Sequence, residues 1–227
     1  MVAALRASDG APRVFVQVGN VAAAREAARD GADVLVCQGV DAGGHQFRRG
    51  AGVVALVPEV RALLDDEFAA RRVPLLAAGG VVDDKGVAAV MALGAEGVVM
   101  GTRFTVATES VYPEQRKQLV LATADGGSST LKSPFHDEIK NSSLWGPLYD
   151  GRAIMGPVHR QFLAGSTLDE CRSSLKASYS EEEATMMLST WAGTGVGLVK
   201  KRQAAGEIVQ EVREGAKEHI RKLAGLL

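Results

Sequence analysis

The chain has 227 residues, with 26 lysines and arginines against 27 aspartates and glutamates and a formal net charge of -1. That balance gives no general pull toward nucleic acid or an anionic membrane. Two cysteines are too few for a secreted disulfide scaffold, and the apolar stretch before Arg6 is shorter than a signal peptide's apolar region or a membrane span, so a reduced, cytoplasmic protein is expected.

In chain order, Val14-Phe15-Val16-Gln17-Val18 is β-branched and aromatic and ends at Gly19-Asn20. An alanine-rich helix, Val21 to Arg29, follows with Asn20 as its cap, and Gly31 stops it. Ala32 to Cys37 is continuously apolar, the pattern of a strand covered on both faces of a parallel sheet. A glycine-rich stretch from Gln38 through Gly50 then leads to the helical pattern of Val53 to Phe68. Connections in α/β units usually take about 2 to 6 residues, so a longer one with an embedded Gly43-Gly44-His45 points to a task at the mouth of a barrel.

Val73 to Ala78 predicts a third strand, Gly79-Gly80 a turn, and Asp84 to Leu93 a helix capped by Asp83 or Asp84. Val98-Val99-Met100 predicts a fourth strand, and Gly101-Thr102 opens another helix. Such alternation is that of a parallel α/β fold, either a barrel or a doubly wound sheet. From Ala124 the rhythm breaks at Asp125-Gly-Gly-Ser-Ser129. Residues 160 to 190 read as one or two short helices, Trp191 to Val199 as a glycine-rich turn, and Glu207 to Leu223 as a closing amphipathic helix with Ile208, Val212, Ile220 and Leu223 on one face. The expected organisation is a partial (β/α) barrel over 1–124, a small, mostly helical subdomain over 125–190, and a turn and helix over 191–227 returning to the barrel.

Two places carry candidate chemistry. Gly79-Gly80 and Gly101-Thr102 each end a strand and begin a helix, so their backbone N–H groups are expected at one corner of the barrel's C-terminal face, where a phosphate fits. The plain alternative is that they are ordinary turn glycines and caps. His45, behind a glycine pair and ahead of Arg48 and Arg49, is placed to act as an acid or base, although a lone loop histidine is more often a solvated surface residue. His136, His159 and His219 share no ligand spacing with it, so no metal site is expected. Gly193-Thr-Gly-Val-Gly197 lacks a convincing preceding strand and reads as a tight turn rather than a nucleotide motif.

Val14-Phe-Val-Gln-Val-Gly19, Gly31-Ala-Asp-Val-Leu-Val36, Asp41-Ala-Gly-Gly-His45, Ala77-Ala-Gly-Gly80, Gly94-Ala-Glu-Gly-Val98 and Met100-Gly-Thr-Arg-Phe104 closely resemble, in order and spacing, the nitronate monooxygenase family, formerly called 2-nitropropane dioxygenases. Trp191 to Val199 resembles the family's late glycine-rich turn. The similarity is strongest from 14 to 107 and weak from 125 to 190. It implies a TIM (β/α)8 barrel of the FMN-binding type, of which this chain carries the C-terminal half. It further implies FMN as cofactor, with the phosphate against Gly79, Gly80, Gly101 and Thr102, Gly43 near the isoalloxazine, and flavin contacts from Gln17 and Gln38. His45 falls on the family's active-site histidine, which takes a proton from a nitroalkane or binds the nitronate. The implied reaction is oxidation of a nitronate or nitroalkane with O2 to a carbonyl compound and nitrite.

Full family members carry about four strand-helix units before the counterpart of the Val14 strand, whereas here only a helix remnant, Val2 to Arg6, precedes it. The chain is then a fragment of a longer product, or it pairs with another chain to close the sheet, because open strand edges invite self-association. Two other readings are a non-catalytic half-barrel acting as a binding or interaction module, and a flavin-dependent enoyl reductase of the same barrel type.

Overall fold

The computed structural model describes residues 4, 5, 10 and 12–226. Of the helix expected over Val2 to Arg6, only residues 4 and 5 are among them, both helical. The strands of the described residues are β1 Phe15–Val18, β2 Val34–Gln38, β3 Gly44–Phe47, β4 Leu75–Ala78, β5 Gly97–Val99, β6 Thr130–Ser133 and β7 Tyr149–Ile154. They make a parallel sheet in the order β1-β2-β4-β5 and an antiparallel sheet in the order β3-β7-β6. The chain divides into two compact units, one of Met1–Asp41, Arg49–Met100 and Gly206–Leu227, the other of Ala42–Arg48 and Gly101–Ala205. Residues 101–124, grouped by sequence with the barrel segment, thus belong to the same unit as 125–190.

The first unit is a run of β/α units of the barrel type. β1, β2 and β4 lead into helices Val21–Arg29, Val53–Glu67 and Asp84–Ala92. Local chemistry sets the helix starts. Asn20 accepts a hydrogen bond from Ala23 N at 2.9 Å, and Asp83, of the two candidate caps, accepts one from Gly86 N at 2.8 Å. Gly52 has no side chain to cap Val53–Glu67, and Asp41 supplies the oxygen instead, accepting from Val53 N at 2.8 Å. Leu35, Cys37, Leu75 and Ala77 are fully buried with Leu56, Val57 and Val60 of the helix that packs on β2 and β4. Removing such apolar surface from water contributes about 25 cal/mol per Å². Burial pushes the Cys37 thiol up to about 12, which makes it inert.

The closing helix, Ala205–Ala224, buries Ile208, Val212 and Ala216, whereas Ile220 and Leu223 are exposed. The expected apolar face is therefore shorter than its sequence pattern. A spacing of four turns the helix about 40° too far at each step, so Ile220 has rotated well away from Ile208, and Leu223 lies in the last turn. A Cβ on Gly215 would come within 2.2 Å of Asp84 Oδ2, so this glycine permits the helix to approach Asp84, which also pairs with His219 Nε2 at 3.2 Å.

In the second unit, the stretch expected as a long loop contains β3, which pairs with β7 in the register His45↔Gly151. The sequence hides this strand because Gly44-His-Gln-Phe47 is short, poor in β-formers and distant from its partner. Three helices, Pro157–Leu163, Leu168–Ser178 and Glu181–Leu188, stand where one or two were expected. The last two begin with capping boxes, Thr167 with Glu170 and Ser180 with Glu183, which divide the region more finely than its apolar pattern does. Phe135, Ile139, Val158, Cys171, Leu175 and Leu188 form the core beneath them. The glycine-rich turn is a 3-10 helix, Thr194–Leu198, and a Cβ on Gly197 would meet Ala124 O at 2.4 Å, so that glycine lets two backbones touch. No helix among the described residues is long and apolar enough to cross a membrane.

Candidate active site

Alternation along β3 sends His45 and Gln46 to opposite faces, and Gln46 is buried. His45 Nε2 lies 3.0 and 2.9 Å from the two carboxylate oxygens of Asp137. The helix that carries Asp137, Phe135–Glu138, is a single turn. An ionised carboxylate only accepts hydrogen bonds, so in the neutral ring the proton is assigned to Nε2.

Two tryptophans wall this pair. Trp145 stacks on the imidazole with centroids 4.3 Å apart and planes 11° apart, and Trp191 approaches at 4.9 Å, tilted by 56°. Trp191 can lie there because its neighbour on β7 is glycine: a Cβ on Gly151 would stand 2.6 Å from Trp191 Cζ3. Lys140 Nζ is 5.6 Å from the Trp191 ring centroid, a cation–π contact.

A second pair of imidazoles lies behind Trp191, whose ring meets His136 edge-on at 5.4 Å. Gly156 N donates to His159 Nδ1 at 3.0 Å, His159 Nε2 and His136 Nδ1 are 3.2 Å apart, and His136 Nε2 is 2.8 Å from Leu131 O. The direction of this chain fixes both rings as neutral tautomers with hydrogen on Nε2. Burial, reinforced by the neighbouring His136 and Arg160, lowers His159 to about 3; burial is also the main cause of a lowered His136. These two rings hold structure and do not exchange protons near neutrality.

The residues singled out from sequence fall in both units. In the first, Gln17 and Gln38 meet at the C-terminal ends of the paired strands β1 and β2, with Gln17 Nε2 donating to Gln38 Oε1 at 2.8 Å. Gly79 and Gly80, directly after β4, have φ of 103° and 73°, consecutive left-handed conformations that favour glycine. In the second unit, a Cβ on Gly101 would meet nothing within 4 Å, and Thr102 Oγ1 accepts from Gly193 N at 3.0 Å. Gly43 packs on the same place: its Cβ would fall 2.5 Å from Ala192 C and 2.6 Å from Gly193 N. The structure thus brings Gln17 to Gln38, and Gly43 and Thr102 to Gly193. Asp137, Trp145 and Trp191 flank His45 without having been singled out as site residues. Asp137 lies 92 positions from His45, and no local pattern marks it. No group of three or more histidine, cysteine, aspartate or glutamate residues among the described residues could hold a metal ion.

A family model described as nitronate monooxygenase matches residues 2–215. A nitronate monooxygenase of Neurospora crassa is 51% identical over 210 residues, covering 92% of this chain and 55% of that protein. The nitronate monooxygenase npaC of Metarhizium robertsii is 35% identical over 222 residues, covering 95% of this chain and 61% of that protein. The chain therefore spans a little over half the length of these curated relatives. Among solved structures, FabK from Thermotoga maritima superposes with a TM-score of 0.75 at 25% identity, covering 99% of this chain and 66% of that one. A nitroalkane oxidase from Streptomyces ansochromogenes superposes at 0.68 with 24% identity, covering 92% and 58%. These superpositions agree with a part of a TIM-type (β/α) barrel.

Proposed function

The chain belongs to the nitronate monooxygenase family, and on that premise we propose that it serves the FMN-dependent oxidation of nitronates or nitroalkanes with O2 to a carbonyl compound and nitrite. The observation that carries the proposal is His45 held by Asp137 and walled by two tryptophans. The His45 imidazole takes the proton from the carbon next to the nitro group of a neutral nitroalkane. The resulting imidazolium keeps its Nε2–H on the Asp137 carboxylate, which offsets the new charge in a site shielded from water. An already anionic nitronate needs no proton removed, and this step falls away.

The residues present fit the cofactor that this reading requires. Consecutive left-handed glycines after β4 leave backbone amides without side chains in front of them, which supports assigning Gly79 and Gly80 to the FMN phosphate. Gly101, with open space where a Cβ would be, and Thr102 carry the same assignment from the family resemblance. The Gln17–Gln38 amide pair supports contacts to polar atoms of the flavin, and Gly43 is assigned to its ring. When bound, FMN supplies the electron-accepting ring that the side chains lack.

Spectra and turnover test the proposal together. Purified protein is expected to be yellow, or to become so with added FMN, and to release nitrite from a nitronate only when oxygen is present. Protein that stays colourless after FMN addition overturns it in favour of a non-catalytic binding module. NAD(P)H-dependent reduction of an enoyl thioester without nitrite release overturns it in favour of the enoyl reductase.

A further inference from the structure

The ring on which this reading depends is covered. The His45 side chain keeps only 12% of its surface exposed, and the flat stack of Trp145 takes one face of the imidazole. Trp145 belongs to no helix or strand; it rides on residues 142–148, between the helix Phe135–Glu138 and β7. That segment is apolar yet faces water, with Leu144 84%, Trp145 43% and Leu148 68% exposed.

Its backbone is held at three points, one of them the turn in which Tyr149 N donates to Gly146 O at 3.0 Å. At one end, Ser142 N donates to Asp137 O at 3.0 Å, and Asn141, at φ 52°, accepts from Arg172 through Oδ1 at 2.7 Å. At the other end, Arg48 N donates to Leu148 O at 2.8 Å. No side chain of 142–148 makes a hydrogen bond among the described residues. Trp145 is held by ring contacts, to His45 and, edge-on at 5.8 Å, to Tyr149, which itself meets Phe47 at 5.2 Å. A short segment whose central side chain is kept in place by two aromatic contacts, with three backbone hydrogen bonds and an exposed surface, opens at low cost.

We propose that Trp145 is the specificity-determining residue of the His45 site: its indole covers the imidazole until substrate displaces it, and segment 142–148 then lines the substrate's carbon chain. The inference rests on the nitronate reading and deepens it by naming the residue that meets the substrate's chain. The surfaces that Trp145 uncovers are Phe47, Tyr149 and its own indole, with Leu148 beside them, so the carbon chain of the nitronate lies against these apolar groups.

Acylation of His45 by diethyl pyrocarbonate, resolved by peptide mapping, tests the cover without turnover. The chain has four histidines, of which His136 and His159 are fully buried and serve as unreactive references. Trp145→Ala is expected to raise the acylation rate of His45 at least about tenfold, and Trp145→Phe to leave it near the wild-type rate. Equal rates in all three proteins overturn the cover. Specificity is read from kcat/KM along the nitronates of nitroethane, nitrobutane and nitrohexane. Wild type is expected to favour the longer chains, and Trp145→Ala to lose about tenfold of that preference. A preference unchanged in Trp145→Ala overturns the specificity role. If wild type oxidises no nitronate, the functional reading and the specificity role both fall, whereas faster acylation of Trp145→Ala still establishes that the indole covers His45.

Discussion

At the scale of single residues, His45 and Asp137 differ in how far sequence gives them away. A histidine behind two glycines on an overlong connection is visible in one dimension, because glycine and length are local signals. Its carboxylate partner comes from a single turn of helix 92 residues later, where an aspartate looks like any surface acid. The assignment of Asp137 predicts a particular kinetic pattern. Asp137→Asn cannot offset the imidazolium, so kcat/KM for a neutral nitroalkane is expected to fall about a hundredfold, within the range of general-base effects. The preformed nitronate needs no proton removed and is expected to suffer much less. His45→Ala should show the same split more strongly while flavin absorbance is retained. Nitrite release from both substrates decides it, and equal losses on both would remove proton transfer from the role of this pair.

At the scale of elements, the parallel strands and their helices are legible because each is announced by an apolar run, a cap and a glycine stop that act within a few residues. β3 is the exception. Its strand state is imposed by pairing with β7 and not by its own composition, so tertiary context decides where local propensity is silent. The same pairing explains Gly151, whose position opposite His45 leaves room for the Trp191 ring. Gly151→Ala would drive a methyl group into that ring, and overpacking of this kind costs about 1–3 kcal/mol. The expected signature is a changed near-ultraviolet dichroism of tryptophan with a lower urea midpoint, and an unchanged spectrum would show that Trp191 is not seated on Gly151.

At the scale of the whole molecule, the two compact units invite separate readouts, since both tryptophans, Trp145 and Trp191, belong to the second. His136 and His159, also in that unit, are held neutral in the fold but are free to protonate when it unfolds. Their folded values are lowered, so the unfolded chain binds more protons below about 6.5, the ordinary histidine value. Stability is therefore complete above that pH and is lost as the pH falls from there toward about 3, the value of His159 in the fold. Each histidine contributes a slope of up to about 1.4 kcal/mol per pH unit. The urea midpoint followed by tryptophan emission is expected to drop between pH 7 and pH 5, above the range where carboxylates titrate; a flat midpoint there would contradict the neutral pair. The first unit carries a different expectation. Its sheet ends in β1 and β5, which expose Phe15 and Val99, and such edges favour pairing with another chain. Sedimentation should show concentration-dependent association that Phe15→Glu weakens, and a strictly monomeric wild type would argue against it. Where one unit stops and the other begins was poorly legible, because residues 42–48 leave the company of their sequence neighbours to join strands far along the chain.

That excursion has a consequence for how the molecule is born. When β3 leaves the ribosome, the strand that completes it is still roughly a hundred residues from being made, a delay of about 5–20 s at usual elongation rates. Throughout that interval the flanking β/α units can already condense, while the piece bearing the reactive imidazole hangs as an unfinished loop. Its competence is conferred last, by the arrival of Asp137 and β7, so any nascent or prematurely terminated product lacking them would carry the histidine without its chemistry.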